Sequence, residues 1–286
     1  MGIIARYASL VKFAHTIFAL PFALMSYTFA VTLTGVFEWR VLAGVLLCMV
    51  FARNAAMSFN RIADRHIDAR NPRTASREIP SGKIRLRSAV TFCAVNCALF
   101  VAVAALINPL AGWLSPVALA VILGYSYTKR FTWASHLVLG VALSIAPVGA
   151  WVAVTESISP FSLILAVVVL TWVGGFDIIY SLQDREFDRA EGLHSAPAHF
   201  SVGNSLAISI LLHAVSVAGV VIIGFIYIDR QLYWLGTLIF AGTLIAQHLI
   251  ASPKRFDRTG PTFTLINGIA SICYCLCAVG AMLVSM

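Results

Sequence analysis

Three oxygen-bearing side chains follow one another at four-residue steps, where a long apolar stretch of the sequence comes to an end. They are Asn60, Asp64 and Asp68, in the motif NRIADRHID. Because an α-helix turns by about 100° per residue, this spacing predicts that all three lie on one helix face. A carboxylate at membrane depth costs at least ~2.5–3.5 kcal/mol, so we expect these acids to have a function.

A second acidic motif ends another long apolar stretch later in the chain. It reads DIIYSLQDREFD and contains Asp177, Asp184 and Asp188. On a continuous helix these three residues form a narrow stripe. Both motifs contain the pattern D-R-x-x-D, at residues 64–68 and 184–188. The shared pattern suggests that the two apolar helices occupy equivalent positions in a repeated unit.

The chemistry to which these side chains are suited is the binding of Mg²⁺. Carboxylates and an Asn carbonyl oxygen, with no set of His or Cys beside them, are the ligands of a hard cation. Mg²⁺ usually takes one or two carboxylates and completes its shell with water and phosphate oxygens. Two facing acidic motifs would therefore balance their charge by sharing a metal-bound diphosphate. The alternative is that each motif is a solvated helix end whose carboxylates pair with neighbouring arginines.

Basic residues near the motifs supply possible partners for the other oxygens of a diphosphate. Arg73 and Arg77 follow the first motif, in NPRTASREIPSG, and Lys129 lies in YSYTKRFT. Arg binds phosphate through two parallel hydrogen bonds, and Lys contributes a point charge. The alternative explanation is the ordinary positive charge of a segment beside a membrane.

Arg53 lies inside an apolar stretch, two helical turns before Asn60 and on the same helix face. An arginine within a membrane needs a partner, so it is a candidate for a functional site. Two partners remain open at this point. One is the carboxylate of a small substrate deeper in a cavity, and the other is Asp177.

The composition of the chain shows what kind of structure must position these residues. Of its 286 residues, 60% are hydrophobic and only 11% are charged, and the mean hydropathy is +0.89. A soluble domain has roughly 25% charged residues, because its surface needs polar cover. The sequence therefore predicts an all-α integral membrane protein, since helices are the only spanning form its long apolar stretches permit.

Nine apolar stretches predict nine transmembrane helices within a single domain that covers residues 1–286. Their approximate bounds are 13–34, 41–62, 87–107, 112–128, 133–154, 161–182, 204–228, 232–251 and 262–285. The second and sixth helices carry the acidic motifs. Because they are four crossings apart, they run in the same direction and bring both motifs to one membrane face. This arrangement predicts two four-helix units plus one further helix.

The basic residues are unevenly distributed between the predicted loops. With the N-terminus in the cytoplasm and the C-terminus outside, sixteen of the twenty Lys and Arg residues fall on the cytoplasmic side. Only Arg40 and Arg230 fall on the other side. This asymmetry predicts the orientation of the protein and explains the net charge of +8 without a nucleic-acid partner.

Taken together, these motifs resemble those of the UbiA-type intramembrane aromatic prenyltransferases, in particular the 4-hydroxybenzoate polyprenyltransferases. The resemblance covers most of the first 190 residues. It is carried in family order by KFAHTIFALPFAL, NRIADRHID, NPRTASREIPSG, YSYTKRFT and DIIYSLQDREFD. One departure is SREIPSG, where many members have Arg-Pro-Leu-Pro.

The resemblance implies a role for each candidate residue. The residues implied in Mg²⁺ binding are Asn60, Asp64, Asp68, Asp184 and Asp188, and those implied in diphosphate binding are Arg73, Arg77 and Lys129. The residues implied in substrate contact are Arg53, Tyr125 and Tyr180. Arg53 matches a position linked to the carboxylate of the aromatic acceptor. The resemblance also implies a lateral opening through which the polyprenyl tail reaches the lipid.

The implied reaction is transfer of a polyprenyl group from an allylic diphosphate to a ring carbon of an aromatic acid, in quinone biosynthesis. Asp64 and Asp184 would be essential, and Asp177 would orient or deprotonate the acceptor. The acceptor is 4-hydroxybenzoate in the ubiquinone route, or alternatively a dihydroxynaphthoate in the menaquinone route. The predicted location is the bacterial inner membrane, with the active site on the cytoplasmic side.

A membrane transporter is the competing class, because acidic residues also occur within transporters. Transporters place such residues near the middle of the membrane, on interrupted helices reached from both sides. Here the acids cluster at one predicted membrane face, and the outer half of the predicted bundle has almost no ionisable residue. The distribution of charge therefore favours the enzyme.

Overall fold

The structure, a computed structural model, describes residues 3–11, 18–250 and 256–284. Within these ranges every regular element is helical and no strand occurs. Lys12, Lys254 and Arg255, which contribute to the predicted charge asymmetry, lie outside the described residues, as does the beginning of the first predicted span. The all-α prediction is confirmed, whereas the orientation of the N-terminus stays a prediction.

Within the described residues, nine apolar helices lie at the positions of the nine predicted spans, although the number of membrane crossings stays a prediction. They are α2 (Leu20–Thr34), α3 (Trp39–Ala63), α5 (Leu86–Ile107), α6 (Pro109–Thr128), α7 (Ser135–Thr155), α8 (Pro160–Ser181), α11 (Val202–Tyr227), α12 (Gln231–Ile250) and α13 (Phe256–Leu283). In the described part of the chain, eight are long and apolar enough to cross a membrane, and α2 is a shorter apolar helix. The described ranges also contain a 3-10 turn and four short α-helices: α1 (Ile3–Val11), α4 (Arg65–Arg70), α9 (Arg185–Ala190) and α10 (Ala196–His199).

Polar caps fix where the apolar helices begin. The side chain of Asn108 accepts a hydrogen bond from the N–H of Ala111, and Pro109 occupies the first turn of α6. This cap starts α6 three residues before its predicted position. Ser159 and Ser162 form a reciprocal capping box ahead of α8. Each cap satisfies N–H groups that no helical carbonyl can reach.

Aromatic rings fill the centre of the bundle where α2, α8, α12 and α13 meet. Trp172 packs on Phe22 and Phe240, with ring centroids 5.3 and 6.1 Å apart, and Tyr274 contacts the same two phenylalanines. Trp172, Phe22, Phe240 and Tyr274 are fully buried. Close packing of α7 against α8 depends on Gly140, since a Cβ there would lie 2.3 Å from the carbonyl oxygen of Leu170.

The helix that carries the first acidic motif is not continuous, contrary to the prediction. Helix α3 ends at Ala63, Asp64 adopts φ −91° and ψ 3°, and α4 begins at Arg65. The helical hydrogen bonds between residues four apart nevertheless continue, because the N–H of Asp64 donates to the Asn60 carbonyl and the N–H of Asp68 donates to the Asp64 carbonyl. The break at Asp64 therefore leaves the four-residue backbone hydrogen bonds between Asn60, Asp64 and Asp68 in place.

The second motif is also interrupted, so the predicted single stripe of acids is wrong. Helix α8 ends at Ser181, a short 3-10 turn covers Leu182–Asp184, and α9 follows. Asp177 consequently belongs to the long helix α8, whereas Asp188 belongs to the short helix α9, beyond the 3-10 turn. The interruption separates the deepest carboxylate of the motif from the two that follow it.

Candidate active site

A cavity of about 530 Å³ lies between α3, α6, α7 and α8. Every site residue predicted from the sequence lines it. They are Arg53, Asn60, Asp64, Asp68, Arg73, Arg77, Tyr125, Lys129, Asp177, Tyr180, Asp184 and Asp188. The structure therefore brings both acidic motifs and the three basic residues to a single site.

The cavity has a polar end and a long apolar part. The acidic and basic side chains surround one end, whereas Val45, Ala104, Ile107, Ala111 and other apolar residues line the remainder. Val45 lies in α3, nineteen positions before Asp64 at the end of that helix, which corresponds to roughly 28 Å at 1.5 Å per residue. The space thus extends along most of the length of the helices around it.

Asp64 is the most heavily paired carboxylate of the first motif. Its Oδ2 accepts hydrogen bonds from Nζ of Lys129 at 2.6 Å and from Nδ2 of Asn60 at 3.2 Å. Its Oδ1 accepts from Nη2 of Arg130 at 3.0 Å, and the side chain is only 3% exposed. Arg130 also donates to the Ala63 carbonyl, at the point where α3 ends. Tertiary contacts with Arg130 therefore accompany the break in the helix.

Asp68 makes one ion pair and leaves one oxygen without a partner. Its Oδ1 accepts from Nη1 of Arg77 at 2.7 Å, and the side chain is 5% exposed. Its Oδ2 is buried and has no hydrogen-bond partner among the described residues. A buried carboxylate oxygen without a partner is costly, so this atom is suited to bind a cation that the site receives.

Asp184 connects the two motifs through Arg73. The guanidinium of Arg73 donates from Nε and Nη2 to the two carboxylate oxygens of Asp184, with Nε at 2.8 Å, and Asn71 adds a longer contact of 3.4 Å. Arg73 also lies over the ring of Tyr180, 5.8 Å from its centroid. Burial lowers the pKa of Arg73, but the hydrogen bond and charge of Asp184 outweigh it and raise the pKa above its usual value. Arg73 therefore stays charged.

The alternative of two solvated helix ends is wrong, although the pairing with basic residues that it predicted is present. The Asp64 and Asp68 side chains are nearly buried, and the Asp184 side chain is 17% exposed. Their partners Lys129, Arg77 and Arg73 are the residues expected to bind a diphosphate. These contacts compensate buried negative charge, which would otherwise be strongly destabilising.

The acidic residues do not form a complete metal site by themselves. In the ranges that the structure describes, no three His, Cys, Asp or Glu side chains are grouped closely enough to hold a metal ion. The oxygen donors and the unpaired Asp68 Oδ2 nevertheless fit Mg²⁺, which accepts few protein ligands and takes the rest from phosphate and water. The residues therefore fit a cation that arrives together with a phosphorylated ligand.

Arg53 does not pair with Asp177, so that alternative is wrong. The carboxylate of Asp177 instead contacts Nδ1 of His136 at 2.7 Å. The Nε of Arg53 is buried and has no hydrogen-bond partner in the described part of the chain. Arg53 lines the cavity near Tyr125, beyond the acidic end. A cavity-lining guanidinium that forms no ion pair with a carboxylate of the described residues is suited to bind an anionic group of a ligand.

Three further residues of the site were not predicted. Arg130 pairs with Asp64, and Arg61 is 3% exposed and donates to the Asn60 side chain. His136 contacts Asp177 from another helix. Arg130 follows Lys129 directly, so its sequence position was a usable signal. The sequence gives no comparable signal for His136, because its partner lies 41 residues away.

Comparison with known proteins adds independent information. The model described as the UbiA prenyltransferase family matches residues 19–280. A 4-hydroxybenzoate octaprenyltransferase of Aliivibrio fischeri is 28% identical over 240 residues, which are 84% of this chain and 84% of that protein. The apo structure of a UbiA homolog from Aeropyrum pernix K1 is 34% identical, with a TM-score of 0.81 over 95% of this chain and 97% of that one.

A second solved structure shares the fold at lower identity. It is a UbiA homolog from Archaeoglobus fulgidus bound to GPP and Mg²⁺, with a TM-score of 0.73 and 20% identity. The match covers 97% of this chain and 99% of that one. This chain therefore shares its bundle of apolar helices with both solved structures.

Proposed function

Because this chain belongs to the UbiA prenyltransferase family, we propose that it transfers a polyprenyl group from an allylic diphosphate to a ring carbon of 4-hydroxybenzoate. The observation that carries the proposal is the convergence of both acidic motifs and three basic residues at one end of a long apolar cavity. The names of curated relatives support 4-hydroxybenzoate as the acceptor, and hence a place in quinone biosynthesis.

The polar end of the cavity would bind the diphosphate of the donor. Arg73, Arg77 and Lys129 now contact Asp184, Asp68 and Asp64, and their charged groups lie where phosphate oxygens would bind. The side chains proposed to hold Mg²⁺ are Asn60, Asp64, Asp68, Asp184 and Asp188. When bound, Mg²⁺ would supply positive charge that favours departure of the diphosphate. The basic residues stabilise the same charge through hydrogen bonds that need no reorganisation.

The apolar part of the cavity would hold the prenyl group. Departure of a diphosphate leaves an allylic cation, which water would trap as an alcohol. Apolar side chains such as Met49, Ala118 and Ile122 line the space beyond the diphosphate and exclude water from it. The same lining would accommodate the first isoprene units of a polyprenyl tail, and longer tails would continue into the lipid.

The aromatic acceptor would bind between Arg53 and the polar end. The guanidinium of Arg53, which forms no ion pair within the described residues, would donate to its carboxylate, and Tyr125 and Tyr180 would contact its ring. Attack by the carbon ortho to the phenol oxygen forms the new C–C bond. The Asp177 carboxylate would then accept the ring proton, and the C–H electron pair would restore aromaticity.

The proposed site lies on the cytoplasmic side of a bacterial inner membrane. The charge asymmetry of the sequence supports this side, because the loops that carry the site also carry most of the basic residues. A transporter would need a polar path through the bundle, but the cavity away from the acids is mainly apolar. The geometry therefore favours chemistry at a membrane surface.

A direct assay with purified protein tests this proposal and the acceptor. Geranyl diphosphate and Mg²⁺ would be incubated with 4-hydroxybenzoate or with 1,4-dihydroxy-2-naphthoate, and the products would be identified by mass spectrometry. We expect a geranylated 4-hydroxybenzoate. Preference for the dihydroxynaphthoate would assign the protein to the menaquinone route instead. Absence of product with both acceptors, from a folded preparation, would overturn the proposal.

A further inference from the structure

His136 belongs to neither acidic motif, yet it contacts the deepest carboxylate of the cavity. It lies in the first turn of α7, and its side chain is 6% exposed. Its Nδ1 is 2.7 Å from Oδ2 of Asp177 on α8. Its Nε2 is 3.1 Å from the backbone nitrogen of Ala196, the first residue of α10. Both ring nitrogens are therefore engaged.

These two contacts determine which nitrogen carries the proton. The backbone N–H of Ala196 can only donate, so Nε2 of His136 must present a lone pair. A neutral imidazole has one N–H and one lone pair, which places the proton on Nδ1. Nδ1–H then donates to the Asp177 carboxylate. His136 is consequently a neutral donor and has no free nitrogen with which to accept a proton from a substrate.

The contact fixes one oxygen of Asp177 and leaves the other available. Oδ2 accepts from His136, whereas Oδ1 has no hydrogen bond to any described residue. Asp177 lines the cavity, and 26% of its side chain is exposed. A carboxylate held by one oxygen has little freedom to rotate, so its other oxygen keeps a constant direction.

We propose that His136 is a positioning residue, which holds the Asp177 carboxylate so that Oδ1 faces the ring of the aromatic acceptor. The inference rests on the proposed function, because the acceptor is the molecule that Asp177 would deprotonate. After the C–C bond forms, the C–H bond breaks, its electron pair returns to the ring, and the proton binds Oδ1. His136 keeps its own proton throughout.

The same histidine connects Asp177 to the loop after the second acidic motif. In this loop the N–H of Leu193 binds the Asp188 carbonyl at 2.8 Å, and the N–H of His194 binds the Lys129 carbonyl at 2.7 Å. The loop is therefore attached to two residues of the proposed donor site. Through Ala196, His136 also joins this loop to α7, so this second contact contributes to stability, whereas the contact with Asp177 positions the carboxylate.

Two substitutions separate the two hydrogen bonds of His136. In His136→Asn, the amide nitrogen can occupy the place of Nδ1 and still donate to Asp177, but the contact with Ala196 is lost. In His136→Gln, the longer side chain can place its amide oxygen near Ala196, and the short contact with Asp177 is lost. Ser157→Ala, in the loop that follows α7 and outside the cavity lining, is the control.

We expect the two substitutions to have different effects, with His136→Asn lowering mainly stability and His136→Gln lowering mainly turnover. His136→Asn should keep kcat within about threefold while lowering the unfolding temperature, and His136→Gln should lower kcat at least tenfold, an order of magnitude typical of a misplaced base. KM for geranyl diphosphate should not change in either variant. In an Asp177→Asn background, His136→Gln should reduce kcat no further. The positioning role would be overturned if kcat fell in proportion to the unfolding temperature in all variants. It would also be overturned if the kcat losses of Asp177→Asn and His136→Gln were additive.

The protonation of His136 can be tested without any activity. Nitrogen NMR of ¹⁵N-histidine-labelled protein should show His136 as the neutral tautomer with its proton on Nδ1, assigned by loss of the signal in His136→Asn. A proton on Nε2, or a doubly protonated ring, would overturn the inference. If the wild-type protein has no prenyltransferase activity, the proposed function fails, whereas the spectrum still decides whether His136 donates to Asp177.

Discussion

At the residue scale, the site consists of largely buried carboxylates that form ion pairs with Lys and Arg side chains. Asp64 is paired with both Lys129 and Arg130, and each of these basic side chains is 31% exposed. The Lys129 and Arg130 side chains are therefore accessible to an arriving phosphate, whereas the Asp64 carboxylate is almost fully buried at the end of α3. This difference in exposure suits a site that exchanges internal ion pairs for contacts with a diphosphate.

Replacement of Asp64 by Asn tests whether its charge is required. The amide has the same shape but cannot share negative charge with Mg²⁺, so we expect kcat/KM for geranyl diphosphate to fall by more than about 100-fold. The protein should still fold, because the released Lys129 and Arg130 reach solvent. Asp229→Asn, at a carboxylate that contacts Trp234 far from the cavity, is the control. Turnover near the wild-type rate in Asp64→Asn would contradict the proposed site.

Replacement of Arg53 by Gln tests recognition of the acceptor. The neutral side chain keeps a hydrogen-bond donor but loses the charge, so KM for 4-hydroxybenzoate should rise about tenfold or more. KM for geranyl diphosphate should stay the same. A phenol without a carboxylate should react equally slowly with the wild-type protein and with Arg53→Gln. If Arg53→Gln slowed the reaction of 4-hydroxybenzoate and of the phenol without a carboxylate by the same factor, Arg53 would not bind the carboxylate.

At the element scale, the apolar stretches predicted the helices well, whereas the breaks within the motifs could not be predicted. Periodicity alone extends the helix through Asp64 and through Asp184, because nothing local stops it. The interruption at Asp64 coincides with contacts from Arg130, which is 66 residues distant. His136 was missed for the same reason, since its role arises only when α7 packs against α8. Contacts between distant segments are not visible in the local pattern.

The packing of α7 on α8 gives a prediction for stability. A methyl group at Gly140 would meet the Leu170 carbonyl at 2.3 Å, so Gly140→Ala must push the helices apart and should cost about 1–3 kcal/mol. Gly149, on the same helix, has nothing within 4 Å of an added Cβ. Gly149→Ala should be neutral or stabilising by up to about 1 kcal/mol. Unfolding in detergent, followed by heat or denaturant, measures both variants, and equal stability of the two would contradict this packing.

At the scale of the whole molecule, the cavity has polar residues at one end and continues as an apolar space along the helices. The motifs predicted the polar end, since carboxylates and arginines are distinctive in an apolar sequence. The extent of the apolar space could not be predicted, because it depends on where α3, α6 and α7 leave a gap. Ala118 lines this space, seven residues before Tyr125 on α6, whereas Ala120 on the same helix is exposed and outside the lining.

Substitution of Ala118 by Phe tests whether the prenyl tail occupies that gap. The added ring should narrow the apolar space beyond the diphosphate, so transfer from a long polyprenyl diphosphate should fall at least about tenfold, by loss of apolar contact and by steric exclusion. Transfer from dimethylallyl diphosphate, which is too short to reach the ring, should change less than about twofold. Ala120→Phe places the same ring on the outer surface of α6 and should leave both reactions unchanged. If Ala118→Phe transfers long and short donors at unchanged relative rates, the tail leaves the site by another route, such as an opening between helices directly to the lipid.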